Sequence, residues 1–418
     1  MRLAALSLAL LLASCSSPDD AIRITISASA VGREGEVLER QLRRFEQLHP
    51  GMRVLVQRTP DDATQRHQLY VQWLNARLGS PDVLQIDVVW TPELAAAGWL
   101  LPLDRFAPDE ADMFDASLAA NRWRGSLFAV PWFLDAGMLY WRSDLMPSPP
   151  STLGELERLA RAARASGEAR HGIVWQGARY EGLITVFLEI LTAHGGTILD
   201  EDGRPALDSE AARRALEFLR SLIESGVTPR EVLTWQEEQT RFAFQNGTSA
   251  MMRNWPYAVG LLSDPADSAV AGRFEVAPIP AAPGGRPAAA LGGAQLAINR
   301  WSAQPDAAWR LVAFLTAPEQ MLERAGATSQ YPARASLYGS ARLDAALGTD
   351  SSRVRAILDA AVPRPVTPVW SEMSEAIQIE LHGALAGRRE SAEALVRANR
   401  ACEAILARAG LAERRGAH

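Results

Sequence analysis

The stretch Asp82-Val83-Leu84-Gln85-Ile86-Asp87-Val88-Val89-Trp90, bounded by Pro81 and Pro92, is a nearly continuous apolar run. Its continuity predicts a strand covered on both faces, as in a parallel sheet. Upstream, Ile22-Arg23-Ile24-Thr25-Ile26 alternates apolar and polar residues and predicts another strand, and the apolar positions of 34–48 recur at helical spacing. Met52-Arg53-Val54-Leu55-Val56 then reads as a strand and 63–78 as a helix. Strand, helix, strand, helix, strand is an α/β pattern with parallel pairing. In such sheets ligands bind beyond the carboxyl ends of the strands, so the residues that close each strand become candidates.

Downstream the alternation continues. A helix is expected over 151–166, with Ser151 as its cap and Glu155 in its first turn, then a strand over 172–175 and a helix over 181–194 ended by Gly195-Gly196. Further helices are expected over 209–225 with Gly226 as C-cap, over 236–245 and over 306–315. The Pro/Gly-rich segment 278–293 is the composition-level boundary, and no repeat, low-complexity tract or heptad pattern stands out. A chain of 418 residues suits two domains of ordinary size, and 48% hydrophobic residues suffice to fill two cores.

At the N-terminus, Arg2 precedes an apolar stretch over 3–12 that reads as a secretory h-region, too short to span a bilayer. The following Leu12-Ala13-Ser14-Cys15 resembles the lipobox of bacterial lipoproteins, which implies cleavage before Cys15 and acylation of its thiol and new amine. An ordinary signal peptide with an incidental cysteine is the competing reading. The chain holds two cysteines. With Cys15 lipidated, Cys402 has no partner and belongs on the apolar face of a C-terminal helix, leaving stability to core burial. The expected mature protein is exported and anchored to a membrane through lipid only, as no second hydrophobic segment approaches transmembrane length.

Lys+Arg 43 against Asp+Glu 49, a formal charge of −6, is the wrong balance for a nucleic-acid partner, and the arginines are scattered along helices as solvated faces. Six histidines occur, no two spaced to ligate a metal from one helical face. HExxH, Gly-x-Ser-x-Gly, Walker A and GxGxxG patterns do not occur, which lowers the prior for zinc enzymes, triad hydrolases, nucleotide hydrolases and dehydrogenases. No catalytic residue, metal or cofactor is expected. Twelve tryptophans are more informative. Trp90, Trp132, Trp175, Trp255 and Trp370 lie beside turns and short polar groups, where an aromatic face next to carboxylates suits a sugar's apolar ring face and hydroxyl edge. Core filling competes for each tryptophan taken singly.

Six ordered phrases carry a family resemblance: Leu84-Gln85-Ile86-Asp87-Val88-Val89-Trp90; Val130-Pro131-Trp132-Phe133-Leu134-Asp135-Ala136-Gly137-Met138-Leu139-Tyr140-Trp141-Arg142; Tyr180-Glu181-Gly182-Leu183; Met251-Met252-Arg253-Asn254-Trp255-Pro256-Tyr257; Leu291-Gly292-Gly293-Ala294-Gln295-Leu296-Ala297-Ile298; and Arg364-Pro365-Val366-Thr367-Pro368. Together they resemble the extracellular solute-binding proteins of carbohydrate ABC importers, especially the trehalose/maltose-binding branch. The resemblance implies a periplasmic-binding-protein-like fold, two α/β lobes with mostly parallel sheets, a hinge and an interlobe ligand cleft. It implies a signal peptide over 1–14, a tether over 15–21, an N-terminal lobe over 22–135 plus about 295–335, and a C-terminal lobe over 136–294 plus about 336–418.

The resemblance also implies ligand roles. Asp87 and Asp135 would accept hydrogen bonds from sugar hydroxyls, with capping or turn stabilisation as the competing use. Trp255 would be a stacking platform, Gly293 would permit close backbone approach, and Arg364 would offer its planar fork to hydroxyls or carboxylates. Glu34 lies where the family often has a polar contact, and Glu181 starts a helix and is equally suited to its dipole. Many relatives carry a tryptophan after the Gly-Gly, where this chain has Ala294, so the pocket differs in shape. The expected function is capture of a disaccharide or small oligosaccharide by a monomer that passes it to permease subunits. The rivals are a binder of a polyol or glycerol phosphodiester, which a cluster of cleft arginines would favour, and a glycoside hydrolase using carboxylates among Glu34, Asp87 and Asp135.

Overall fold

The computed structural model describes residues 21–28, 32–60, 63–359 and 361–411. The expected signal peptide, Cys15 and most of the tether lie outside the described residues. The polypeptide forms two principal sheets. The larger runs, in spatial order, Tyr331–Pro332, Ala129–Ala136, Ala289–Ile298, Val83–Asp87, Ile22–Ala28 and Met52–Arg58, with Ala361–Val362 added beside Ala289–Ile298. The smaller runs Phe274–Ala277, Met138–Arg142, Ser249–Asn254 and His171–Val174.

The first three strands pair in parallel, Ile22–Ala28 lying between Met52–Arg58 and Val83–Asp87, as their alternation with helices predicts. Elsewhere the sheets are mixed, which corrects the expectation of mostly parallel ones. Ala289–Ile298 runs antiparallel to Val83–Asp87 and Ala129–Ala136, and Met138–Arg142 runs antiparallel to both its neighbours. The reason is connectivity: a strand that enters a sheet from the other lobe arrives from the opposite end, without the crossover helix that parallel pairing requires.

The deciding run over 82–90 also ends sooner than its hydrophobicity suggests. Val83, Leu84 and Ile86 are fully buried. Pairing stops at Asp87, whose Oδ1 accepts the Val89 amide at 3.2 Å and whose carbonyl accepts that of Trp90 at 3.0 Å. This turn leads into the helix Thr91–Ala96, where Pro92 supplies a preset φ for the first helical turn. A similar one-residue correction applies to the helix Leu153–Ala165. Thr152, not Ser151, caps it by accepting the Glu155 amide at 3.1 Å, while the Ser151 amide and hydroxyl donate to the Glu155 carboxylate.

The chain passes between the two sheets at Gly137, between Ala277 and Ala289, and after Val362. The Pro/Gly-rich segment is thus a connection only as far as Ala288, and its last residues begin a strand. The helices Ala341–Leu347 and Ser351–Asp359 belong with the larger sheet: the first packs on Pro318–Thr328, the second touches Ala129–Ala136 and Ala289–Ile298. The helices Trp370–Leu385 and Ser391–Arg408 pack on one another and on Glu181–Ala193 and Glu210–Glu224. Cys402 is fully buried there, and desolvation pushes its thiol pKa up to about 12.

Two of the crossings meet at a buried ion pair. Arg253 and Glu189 lie 2.5 Å apart at 2% and 1% exposure. Glu189 also accepts the Ala290 amide at 3.1 Å, and the Gly137 amide donates to the Ala290 carbonyl at 3.2 Å. A Cβ at Gly137 would fall 1.8 Å from Glu189 Oε1 and 2.2 Å from an Arg253 nitrogen. Glycine at this position follows from the space the ion pair occupies. Among the described residues no helix is long and apolar enough to cross a membrane, and no cluster of three potential metal ligands occurs.

Candidate ligand-binding cleft

A cavity of about 640 Å³ opens between the two sheets. Its wall combines residues that close strands of both sheets with residues from helix starts. Asp87 is the last residue of Val83–Asp87, Asp135 the last but one of Ala129–Ala136, and Trp255 follows Ser249–Asn254 directly. Glu34 and Glu181 lie in the first turns of Gly32–Leu48 and Glu181–Ala193. Gly293 lies within Ala289–Ile298, and Arg364 follows the third crossing. All of the residues singled out from the sequence for the site line this one cavity.

Arg364 ties the two lobes together at the cleft. It is 4% exposed, with Nη2 donating to Asp87 Oδ1 at 3.0 Å and Nη1 to Glu181 Oε1 at 2.7 Å. Burial works against its charge, but Asp87 and Glu181 more than offset this, and its pKa is raised. The Glu181 carboxylate also accepts Trp370 Nε1 at 2.9 Å and the Ser374 hydroxyl. Most of its acceptor capacity therefore goes to holding Trp370–Leu385 against the crossing. Trp370 is 1% exposed and Trp175 2%, so these two tryptophans are core.

Trp255 is half-buried, and its ring rests on the Arg253 guanidinium at 4.0 Å, while Nε1 donates to Glu237 Oε1 at 3.3 Å. A Cβ on Gly292 would stand 3.0 Å from the same ring. Gly293 has φ +116°, and a Cβ there would meet the Phe133 carbonyl oxygen at 2.2 Å. Its glycine is thus required by the neighbouring strand, independently of any ligand. Ala294 is paired with Asp87 and Phe133 just before a bulge, and it lines the cavity.

Among the cleft carboxyl groups whose pKa is shifted, Asp135 is the most perturbed, and geometry explains why. Its Oδ1 is enclosed without a hydrogen-bond partner among the described residues. Burial, then the negative charges of Glu34 and Asp87, push its pKa up to about 7, against the partial relief of Arg324 and Arg253. Across the cavity, Tyr257 donates to Glu238 Oε1 at 2.6 Å, and burial pushes its pKa well up. The carboxylates of Glu34, Asp87, Asp135, Glu181, Glu237 and Glu238 line the cavity, against the guanidinium groups of Arg33, Arg66 and Arg364. The arrangement offers hydrogen-bond acceptors around an aromatic face, and its acidic balance repels phosphate.

Sequence reading passed over Arg33, Arg66, Gln236, Glu237, Glu238 and Gln330, which also line the cleft. The Glu237-Glu238 pair follows the N-cap Gln236, whose side chain forms a capping box with Gln239. That signal marks a helix start, and only the fold turns it toward a cavity.

Comparison with known proteins agrees with this geometry. Residues 29–322 match the family described as bacterial extracellular solute-binding protein. A probable ABC transporter-binding protein of Deinococcus radiodurans is 37% identical over 76% of this chain and 77% of its own length. A mannitol-binding protein of Pseudomonas aeruginosa is 26% identical over 74% of this chain and 73% of its own. The maltose-bound structure of T. maritima MalE3 is 39% identical and superposes with a TM-score of 0.87 over 92% of this chain and 100% of that one. The match over more than half the length and the shared two-lobed architecture place the chain among the bacterial extracellular solute-binding proteins.

Proposed function

We propose that this protein captures a neutral polyhydroxylated ligand, a maltose-like disaccharide or small oligosaccharide, between its lobes and delivers it to the permease of an ABC importer. The observation that carries the reading is the composition of the cleft wall, where Asp87, Asp135 and Glu34 share the lining with Trp255. Hydroxyls donate to carboxylates while the ring covers the apolar face of the sugar. A cavity of about 640 Å³ lies within the range of small-molecule sites. The similarity to maltose-bound T. maritima MalE3 supports the same ligand class, and that to the mannitol-binding protein of Pseudomonas aeruginosa brings polyols into the test. The acidic balance of the wall speaks against a glycerol phosphodiester.

In this reading the lobes comprise 22–136 with 289–362 and 137–288 with 363–411, a division based on which sheet each helix packs against. The lobes close about the three crossings, ligand binding shifts the open and closed populations, and no bond in the sugar breaks. Trp255 stacks, Asp87, Asp135 and Glu34 accept hydroxyl protons, and Gly293 presents its backbone to the ligand. Arg364 and Glu181 hold the lobes in register at the edge of the site. The monomer would be exported and held to a membrane by lipid on Cys15.

Titration calorimetry with maltose, trehalose, mannitol and glycerophosphoglycerol tests the ligand. Saturable binding of a disaccharide is expected, and binding of the phosphodiester alone would overturn the reading. Chromatography of maltose incubated with stoichiometric protein should recover it intact, and glucose release would replace binding by hydrolysis. Metabolic labelling with a fatty acid should mark the wild type and not Cys15→Ala.

A further inference from the structure

The Pro318–Thr328 helix reaches the cleft at Ala327 and Thr328, and its Arg324 lies buried behind the lining. Arg324 is 1% exposed, and its guanidinium lies 4.0 Å from the Trp132 ring centroid and 4.8 Å from that of Phe133. Its Nε donates to Gln330 Oε1 at 2.6 Å, and Gln330 Nε2 donates in turn to Glu34 Oε1 at 3.1 Å. Nη2 stands 3.8 Å from Glu34 Oε2, an ion pair without a direct hydrogen bond. Both terminal nitrogens are enclosed without hydrogen-bond partners among the described residues, as is Asp135 Oδ1. A guanidinium stripped of water is costly unless charges around it compensate.

Resting on the sugar-binding reading above, we infer that Arg324 is the positioning residue of the site: through Gln330 it fixes the Glu34 carboxylate, and by its charge it governs how Asp135 meets a ligand hydroxyl.

The electrostatics support the geometry. Burial lowers the Arg324 pKa to about 10, opposed by Glu34 and Asp135. The charges that reach Asp135 are Glu34 from Gly32–Leu48, Asp87 from Val83–Asp87, Arg324 from Pro318–Thr328 and Arg253 from Ser249–Asn254, the last already paired with Glu189. Tyr331 and Tyr140 face it as neutral phenols, since burial raises both pKa values. Glu34 and Asp87 favour the acid form of Asp135, and Arg324 with Arg253 favours the carboxylate. Near neutral pH the balance decides whether Asp135 accepts a hydroxyl proton or offers its own. A sugar hydroxyl, which both donates and accepts, satisfies the enclosed oxygen in the carboxylate form.

The test uses the full chain as wild type, R324M and R324K, with maltose affinity and ligand-free thermal stability both followed from pH 5.5 to 8.5. In R324M the midpoint of the Asp135 titration should move up by about one pH unit and maltose affinity at pH 7 should fall at least about tenfold, the size expected for losing a nearby opposite charge. R324K retains the charge but cannot reach Gln330 and Glu34 together, so its midpoint should stay near that of wild type while affinity falls about threefold or more. An unmoved midpoint in R324M, or unchanged affinity in R324K, overturns the inference, and R324K decides if R324M does not fold. Should wild type bind neither maltose nor the other ligands, the sugar-binding reading falls, while the ligand-free midpoint still tests Arg324.

Discussion

The Arg253 guanidinium serves two partners, pairing with buried Glu189 at 2.5 Å and lying 4.0 Å beneath the ring of Trp255. The element that joins the crossings is thereby the element that levels the aromatic face of the cleft. Arg253→Met would strand the Glu189 charge among apolar neighbours and should cost about 3–5 kcal/mol of stability. Chemical denaturation of the two proteins measures it directly. Trp255→Ala, by contrast, leaves the ion pair in place and should spare the fold while weakening sugar binding roughly tenfold to a hundredfold, as calorimetry would record.

Asp135 predicts a pH dependence of unusual sign for a carboxylate. Its folded pKa, about 7, lies above the ordinary 3.8, so the folded state holds the proton more tightly than the unfolded one. The associated stability is fully present below about pH 4 and is lost as pH rises to about 7, amounting to up to ~4 kcal/mol. Asp135→Asn should therefore raise the ligand-free melting temperature at pH 8 and change it little at pH 4. Equal effects at both pH values would contradict the assignment.

Gly137→Ala tests the joint between the crossings. The new methyl would fall 1.8 Å from Glu189 Oε1, so a buried ion pair at 2% and 1% exposure must shift to admit it. Loss of several kcal/mol is expected, at the upper end for single substitutions. A melting temperature within a degree of wild type would show that the pair can move aside.

Outside the cavity lining, Ser371 at the start of Trp370–Leu385 donates to Glu93 Oε2 at 2.5 Å, and His67 Nε2 lies 3.0 Å from the same carboxylate. Glu93 and His67 belong to helices of the larger sheet's lobe, so the serine bridges the lobes. Removing the hydroxyl in Ser371→Ala should favour the open form and weaken ligand binding about two- to tenfold, the worth of one ordinary, partly exposed hydrogen bond. Small-angle scattering should show a larger ligand-free radius of gyration; an unchanged radius and affinity would assign the contact to the surface alone.

Local pattern made much of this protein legible. Three parallel strands alternating with helices could be read from hydrophobic period, because side-chain burial repeats every 2 residues in a strand and every 3.6 in a helix. Trp255 could be named only through the phrase that carries the family resemblance, and Asp87 through its phrase and through its place at the end of a buried strand, where backbone pairing stops. Beyond that reach lay everything set by contacts distant in sequence. The antiparallel insertion of Ala289–Ile298 depends on where the chain returns from the other lobe. The reason for Gly293 is a carbonyl oxygen of Phe133, and the Arg364 fork is occupied by Asp87 and Glu181, hundreds or scores of residues away. Arg324, which no sequence motif singles out, acquires its meaning only from the desolvation that folding imposes around it. Periodicity is a property of neighbours along the chain, whereas burial, charge pairing and cavity shape are properties of neighbours in space.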